Sequence, residues 1–485
     1  MLNWALSLLS AALLIFAFPK WNIWWFAPAA LTPMLIAMAR EARPFRRFLM
    51  GWTAGIVYWF GVCYWIQIVL ALHADMSDAE AWALFALFCL AKGLHIAVFA
   101  LLSGMLMRRW WAVPCVAALW VAIEVTNGPL GFAWLTLGNA GIGMSLPMRL
   151  APITGVYGLS FLFALMSAAL AIAILRHPTR QLAWLLPVLL LGLLPPLPPV
   201  QRGTDTAVLL QPNISETEEW TATSVDEMQR NLVDLSLGGV FSAGGRPPSI
   251  VVWPEVPAPL YYYDDPRFRS YLDTLAREIH AYLLVGIVAH APDGAPLNSA
   301  VLVSPSGIAI SRYDKVNLVP FGEFVPWPFD SIANKVSTEV GDFEPGKRVV
   351  VSPVDSHKIG TFICYESVFP NFVRQFVNDG AQVLFNISND GWFGKSAARE
   401  QHLEIVRMRA AENRRWILRS TNDGITATID AAGRLRGTLP LYVQSTSYTG
   451  FQYISSKTVY TRFGDWFPFL CATFALMGLI AEKIL

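Results

Sequence analysis

Three polar residues each stand just past a short apolar or β-branched run. Glu255 follows Ile250-Val251-Val252-Trp253-Pro254, Lys315 follows Ile310-Ser311-Arg312-Tyr313-Asp314, and Cys364 follows Gly360-Thr361-Phe362-Ile363. Sites in α/β proteins assemble where strands end. A carboxylate, an ammonium and a thiol brought together there make an acyl-transfer site. The carboxylate takes the thiol proton, and the ammonium stabilises the thiolate and then the tetrahedral oxyanion. Each residue also has a purely structural reading: Glu255 as a cap, Lys315 as a solvated charge, Cys364 as a small core residue. Of the five cysteines, Cys63, Cys89, Cys115 and Cys471 lie in membrane-length apolar runs, and Cys364 does not. No CxxC pair and no histidine cluster at ligand spacing occurs, so neither a disulfide framework nor a metal site is expected.

The elements that would position these groups belong to a region of distinct texture. Between about Gly203 and Ser456 short β-branched runs recur, among them Ala207–Leu210, Leu283–Ile287, Ala300–Val303, Gln382–Phe385 and Trp416–Arg419. Helical patterns lie between them at Thr223–Leu235, Arg267–His280 and Glu400–Arg415. Strands alternating with helices predict an α/β domain with a largely buried sheet. No nucleotide-binding glycine loop is present, so nucleotide chemistry has no support.

The rest of the chain is a different material. Of its 485 residues 54% are hydrophobic and 15% charged, against roughly 25% charged in an ordinary soluble domain. Eight apolar runs are read as transmembrane helices: Leu2–Phe18, Ile23–Ala39, Phe48–Leu72, Ala81–Met107, Trp111–Val125, Ile153–Leu175, Leu182–Val200 and Trp466–Ile484. The first lacks a basic start and a cleavage site and is read as retained. The 19 tryptophans suit membrane-interface belts. Arg40, Arg43, Arg46 and Arg47, then Arg108 and Arg109, then Arg176 and Arg180 fall in alternate loops, with Lys483 at the far end. The positive-inside rule places those loops and both termini in the cytoplasm and the segment carrying Cys364 on the outer side. The expected organisation is residues 1–202 as seven helices, 203–462 as the catalytic domain and 463–485 as the eighth helix. Lys+Arg 36 against Asp+Glu 35 argues against a nucleic-acid partner.

The motifs then carry a resemblance. Trp253-Pro254-Glu255, Tyr313-Asp314-Lys315 with Pro320-Phe321-Gly322-Glu323, and Cys364-Tyr365-Glu366 resemble, in that order, the Glu-Lys-Cys signature of the nitrilase (carbon–nitrogen hydrolase) superfamily. Asn386-Ile387-Ser388-Asn389-Asp390-Gly391-Trp392-Phe393-Gly394 resembles the segment after its nucleophile. With seven runs before this domain and one after it, the chain resembles the apolipoprotein N-acyltransferase family. The resemblance implies an extracytoplasmic αββα sandwich, with Cys364 as nucleophile, Glu255 as base and Lys315 as stabiliser of the tetrahedral intermediate. Glu323 would orient Lys315, Tyr365 and Glu366 would support the nucleophile, and Trp220 would lie near the acyl or acceptor site. Phe324 and Trp327, in Phe324-Val325-Pro326-Trp327-Pro328-Phe329, form a candidate apolar cover that excludes water. No cofactor is implied.

The reaction so implied passes a fatty acyl chain from a phospholipid, with phosphatidylethanolamine as the expected donor, through a thioester on Cys364. The acceptor is the N-terminal α-amine of a diacylated apolipoprotein. The setting is a bacterial inner membrane with the catalytic domain on the periplasmic side, and the expected state is a monomer. The same three residues would equally serve a membrane-tethered amidase or nitrilase acting on a small amide. A transporter with an outer ligand-binding domain has Lys92 and His95, inside the fourth run, as its support. The alternative for that pair is local hydrogen bonding within the bundle.

Overall fold

The structure is a computed structural model that describes residues 1–73, 76–129, 132–176, 179–242, 244, 246–255, 258–324 and 343–484. It contains two compact units. One comprises Met1–Gln67, Asp78–Leu197 and Thr458–Leu485, and the other Ile68–Ser77 and Pro198–Lys457.

The second unit is built on strands β1 (Asp205–Gln211), β2 (Ile250–Val252), β3 (Tyr282–His290), β4 (Pro296–Val303), β5 (Ala309–Asp314), β6 (Val351–Val354), β7 (His357–Ile363), β8 (Val383–Ser388), β9 (Ile417–Thr421), β10 (Ala427–Ile429), β11 (Leu435–Thr438) and β12 (Ser445–Phe451). They form two six-stranded sheets, ordered β12-β1-β2-β3-β4-β5 and β11-β10-β9-β8-β7-β6. In each sheet three neighbouring strands are parallel, β1-β2-β3 and β7-β8-β9, and the remaining pairings are antiparallel. Parallel strands with both faces covered read as continuous apolar runs, which is why Val383–Phe385 and Ile250–Val252 show no polar alternation.

The strand period of two sorts side chains to opposite faces. Leu209, Val252 and Leu284 of the first sheet share one buried core with Ile363, Phe385 and Ile387 of the second. Val208, Val251 and Leu283 turn the other way, onto helices Ala222–Phe241 and Pro266–Ile279 through Leu232, Phe268 and Leu272. On the far side of the second sheet, Phe362 meets Phe376 of helix Pro370–Asn378. The layers are therefore helix, sheet, sheet, helix. Ser420 at the end of β9 ties the sheets directly, donating to the carbonyls of Leu210 at 2.6 Å and Val252 at 3.2 Å. The helix expected at Arg267–His280 runs Pro266–Ile279: the Asp265 carboxylate caps the amides of Arg267 and Phe268, and His280 ends it in the left-handed region.

The first unit is helical. By length and composition, Asp78–Leu106 and Val156–Ile174 are long and apolar enough to cross a membrane among the described residues. Pro44–Cys63 and Trp65–His73 make a third candidate if their 59° bend is one broken span. Leu2–Ala17, Ala112–Asn127, Arg180–Leu193 and Trp466–Glu482 are shorter apolar helical stretches. Two further expected helices are interrupted. The Ile23–Ala39 run becomes a 3-10 segment with Pro28 inside it, then helix Thr32–Arg40. The Leu182–Val200 run breaks into short 3-10 and α turns around Pro187 and becomes irregular after Leu193, because prolines remove the bonds that would continue a helix. Lys92 Nζ donates to Asn127 Oδ1 at 2.7 Å and lies 5.1 Å from the Trp59 ring centroid, so this buried cation is held locally.

Gly286 in β3 lies under the turn that carries Glu255. A Cβ there would stand 2.6 Å from the Pro254 carbonyl oxygen and 3.2 Å from Glu255 Cα. Gly286→Ala should therefore destabilise the domain by about 1–3 kcal/mol through overpacking. Thermal unfolding checks this: a melting temperature within error of wild type would show that the turn yields freely.

Candidate active site

Glu255, Lys315 and Cys364 close β2, β5 and β7, and the structure brings them together. Lys315 is 1% exposed, and its Nζ pairs with Glu255 Oε1 at 3.2 Å and Glu323 Oε1 at 2.9 Å. The same two oxygens accept from one further donor, Asn298 Nδ2 of β4, at 2.7 and 2.6 Å. The outer oxygens are also held. Glu255 Oε2 accepts the backbone N–H of Asn389 at 2.9 Å, and Glu323 Oε2 accepts that of Val319 at 2.8 Å. A buried charge is tolerable only when paired and hydrogen-bonded on every side, and both carboxylates meet that demand.

Cys364 opens a 3-10 turn, Cys364–Val368, directly after β7. Its φ is +48°, a left-handed conformation costly for a residue with a Cβ. The side chain is buried, and its charge environment contains Glu255, Lys315 and Asp390. Burial pushes the thiol well above its ordinary range, Glu255 adds to this, and the Lys315 ammonium opposes it. Cys364 thus rests as a neutral thiol. For Lys315, burial alone would favour the neutral amine, but Glu255, Glu323 and Cys364 together hold it above its usual value as a permanent cation.

Glu366 holds the two strand ends in place. Its Oε1 accepts from the Tyr313 hydroxyl at 2.6 Å and the amides of Val316 at 2.7 Å and Asn317 at 3.1 Å, while Oε2 accepts from the Ile363 amide at 2.7 Å. One side chain thereby joins the segment after Lys315 to the residue before Cys364. Burial pushes its carboxyl up to about 7, against the pull of these donors. Tyr365 is buried with its ring edge-on to Phe369 at 5.3 Å. Phe324 is half-buried, and its carbonyl accepts the Phe321 amide at 2.8 Å. Trp327 and the rest of the proposed apolar cover lie outside the described residues. Trp220 is partly buried against the core between the first sheet and its helices.

Other groups escaped the sequence reading. Asn298 sits inside a strand whose pattern reads as ordinary, and only the sheet order reveals what it faces. Beneath Cys364 lies a fully buried polar cluster. His402 Nε2 is 3.1 Å from the Cys364 carbonyl oxygen and 2.9 Å from Ser367 Oγ, and its Nδ1 is 3.0 Å from Asp390 Oδ1. Arg419 Nη2 donates to Asp390 Oδ2 at 2.6 Å. Burial would raise the Asp390 carboxyl, but Arg419 and His402 hold it well below the usual range. Helix Ala398–Asn413 carries His402 among residues that are almost all buried, so helical periodicity gave no hint of a special position. Among the described residues no group of His, Cys, Asp and Glu could hold a metal ion.

Comparison with known proteins gives the family. Residues 206–453 match the carbon-nitrogen hydrolase family, and residues 10–169 match the apolipoprotein N-acyltransferase N-terminal domain. The apolipoprotein N-acyltransferase of Geobacter metallireducens is 34% identical, covering 97% of this chain and 93% of that protein. The chain belongs to the apolipoprotein N-acyltransferase family. The Nitrosomonas europaea member is 31% identical, covering 94% of this chain and 93% of its own. Among solved structures, an amidase from Nesterenkonia sp. AN1 aligns with 51% of this chain and 93% of its own at 18% identity and a TM-score of 0.39. The family rests on the full-length relatives and the two family matches.

Glu366→Gln should weaken this site. A glutamine offers one acceptor where four donors converge, and its NH2 would face an N–H. The expected loss is about 1–3 kcal/mol, a fall of roughly 2–10 °C in melting temperature for a domain of this size. Unaltered thermal unfolding of the variant would show that Glu366 does not hold the strand ends together.

Proposed function

We propose that this chain matures lipoproteins by moving a fatty acyl chain from a phospholipid, through a thioester on Cys364, to the α-amine of an N-terminal S-diacylglyceryl cysteine. The observation that carries this reading is the placement of the strained, buried Cys364 thiol within the field of the Glu255–Lys315 pair, in a chain related along almost its whole length to apolipoprotein N-acyltransferases. The relatives do not favour the amidase alternative. The local bonding of Lys92 leaves the transporter reading without its main support.

In the first half-reaction Glu255 takes the Cys364 proton as the sulfur attacks the donor ester carbonyl. Lys315 and a backbone N–H near Tyr365 stabilise the oxyanion. The carbon–oxygen bond then breaks, and the lysophospholipid leaves with the proton from Glu255. In the second half-reaction the acceptor amine attacks the thioester and gives a proton to Glu255. The carbon–sulfur bond breaks, and the thiol is restored. Glu323 holds Lys315 throughout, and Tyr365 and Glu366 support the nucleophile's turn. Trp220, Phe324 and Trp327 are assigned to the acyl and acceptor surroundings.

The eight apolar runs are assigned as eight spans, with both termini cytoplasmic and the catalytic domain periplasmic, on the distribution of arginines. The proposed domain limits are 1–202, 203–462 and 463–485. Phosphatidylethanolamine is the proposed donor. A monomer suffices, because all three catalytic groups come from one chain.

The test is incubation of the full chain in micelles with phosphatidylethanolamine labelled in its acyl chain. A hydroxylamine-sensitive label should appear on Cys364 and pass to a diacylglyceryl peptide. Cys364→Ala and Cys364→Ser should form no thioester. Wild-type levels of hydroxylamine-sensitive label on either variant would sink the assignment of the nucleophile, and ammonia release from amides without acyl transfer would favour the hydrolase.

A further inference from the structure

Glu216 lies in the turn after β1, four residues before Trp220. It is half-buried. Its Oε2 accepts from Asn389 Nδ2 at 3.2 Å, and Asn422 Nδ2 approaches its Oε1 at 3.5 Å. The backbone N–H of the same Asn389 donates to Glu255 Oε2 at 2.9 Å. The other end of the Asn389 carboxamide is also taken, with Oδ1 accepting from Gly391 N and Asn422 Nδ2, each at 3.2 Å. The fit is tight, because a Cβ on Gly391 would sit 1.9 Å from Glu216 Oε1. Glycine at that position makes room for a carboxyl group one residue removed from Glu255.

We propose that Glu216 is a positioning residue for acyl transfer: by holding the Asn389 carboxamide it fixes the Asn389 N–H on Glu255. This rests on the reading of Glu255 as the base. The charges around it add a pH dependence. Glu216 faces Asp423, which pairs with Arg399 at 2.9 Å, and Glu255, which pairs with Lys315 at 3.2 Å. Asp390, in the segment beside Asn389, is occupied by Arg419 and His402. Burial pushes the Glu216 carboxyl up to about 8, and Asp423 and then Glu255 add to the rise, against the hydrogen bonds from Asn389 and Asn422. Around neutral pH Glu216 is an uncharged acid. As pH rises through its folded value it becomes a third carboxylate beside two others, and repulsion across Asn389 loosens the hold on Glu255.

The experiment follows acylation of Cys364 by labelled phosphatidylethanolamine from about pH 6 to about pH 10. It uses the full chain in micelles, with thermal unfolding alongside. Glu216→Ala should lower the acylation rate at saturating donor about tenfold to a hundredfold, the scale of a misplaced catalytic group, with little change in KM. Glu216→Gln, close in shape to the protonated acid, should restore most of that rate and lack the alkaline fall of wild type. Gly391→Ala, which pushes a methyl group against Glu216, should resemble Glu216→Ala. A Glu216→Ala variant with wild-type rate and pH profile would overturn the inference. So would a Glu216→Gln variant as slow as Ala, or one that keeps the alkaline fall. Glu216→Gln preserves packing, so its profile decides the matter even if Glu216→Ala does not fold. Glu255→Gln separates the two levels. If it acylates like wild type, the base assignment itself fails. If it is inactive while Glu216→Ala is normal, only the role of Glu216 fails.

Discussion

One buried ammonium dictates the arrangement of the α/β unit's centre. Lys315 is withdrawn from water, and a lone cation there would cost several kcal/mol. Its counter-charges, Glu255 and Glu323, carry one negative charge more than it neutralises. The excess is met by Asn298 Nδ2 and by the backbone amides of Asn389 and Val319. These donors come from a strand of the first sheet, the loop after β8 of the second and the turn before Glu323. Satisfying one cation therefore brings both sheets and their loops into register. The site is a condition of packing as much as an addition to it.

Cys364 is fixed by a comparable over-determination. A positive φ at a residue with a Cβ costs of order 1–3 kcal/mol and persists only where the surroundings enforce it. Here the amide before Cys364 is bound by Glu366, and the carbonyl of Cys364 itself faces His402. His402 is in turn set by Asp390, and Asp390 by Arg419. The polar cluster under Cys364 thus acts as a rigid footing, buried and charge-paired, while the thiol above it stays protonated.

The sequence was informative where chemistry coincides with a strand end. Glu255, Lys315 and Cys364 stood out because each interrupts an apolar run. Asn298 and Glu216 were not legible. Both lie in stretches that look ordinary locally, and their partners are set by sheet order and by loops more than a hundred residues away in the case of Glu216. His402 was hidden for another reason: its helix is buried nearly all round, so no face of it is marked. Hydropathy located the apolar runs but not their continuity, since it does not register that Pro28 and Pro187 break the backbone ladder.

The resting charges also bear on how the proposed reaction would be driven. Glu255, Glu323 and Lys315 sum to one negative charge beside a neutral thiol. When Glu255 accepts the thiol proton, it ceases to be a counter-ion for Lys315. At the same stage of the reaction, negative charge develops on the oxygen of the attacked carbonyl. The oxyanion then takes the place of Glu255 in neutralising the ammonium, while Glu323, still bonded to Lys315 at 2.9 Å, keeps it from moving. The total charge of the buried cluster is unchanged from ground state to tetrahedral intermediate, so little of the surrounding protein has to reorganise, which is the condition under which fixed charges stabilise a transition state best. The same exchange serves the second half-reaction, where the attacking amine supplies the proton. Two carboxylates on one lysine would thus serve the proposed reaction: one would be spent as a base while the other holds the cation in place.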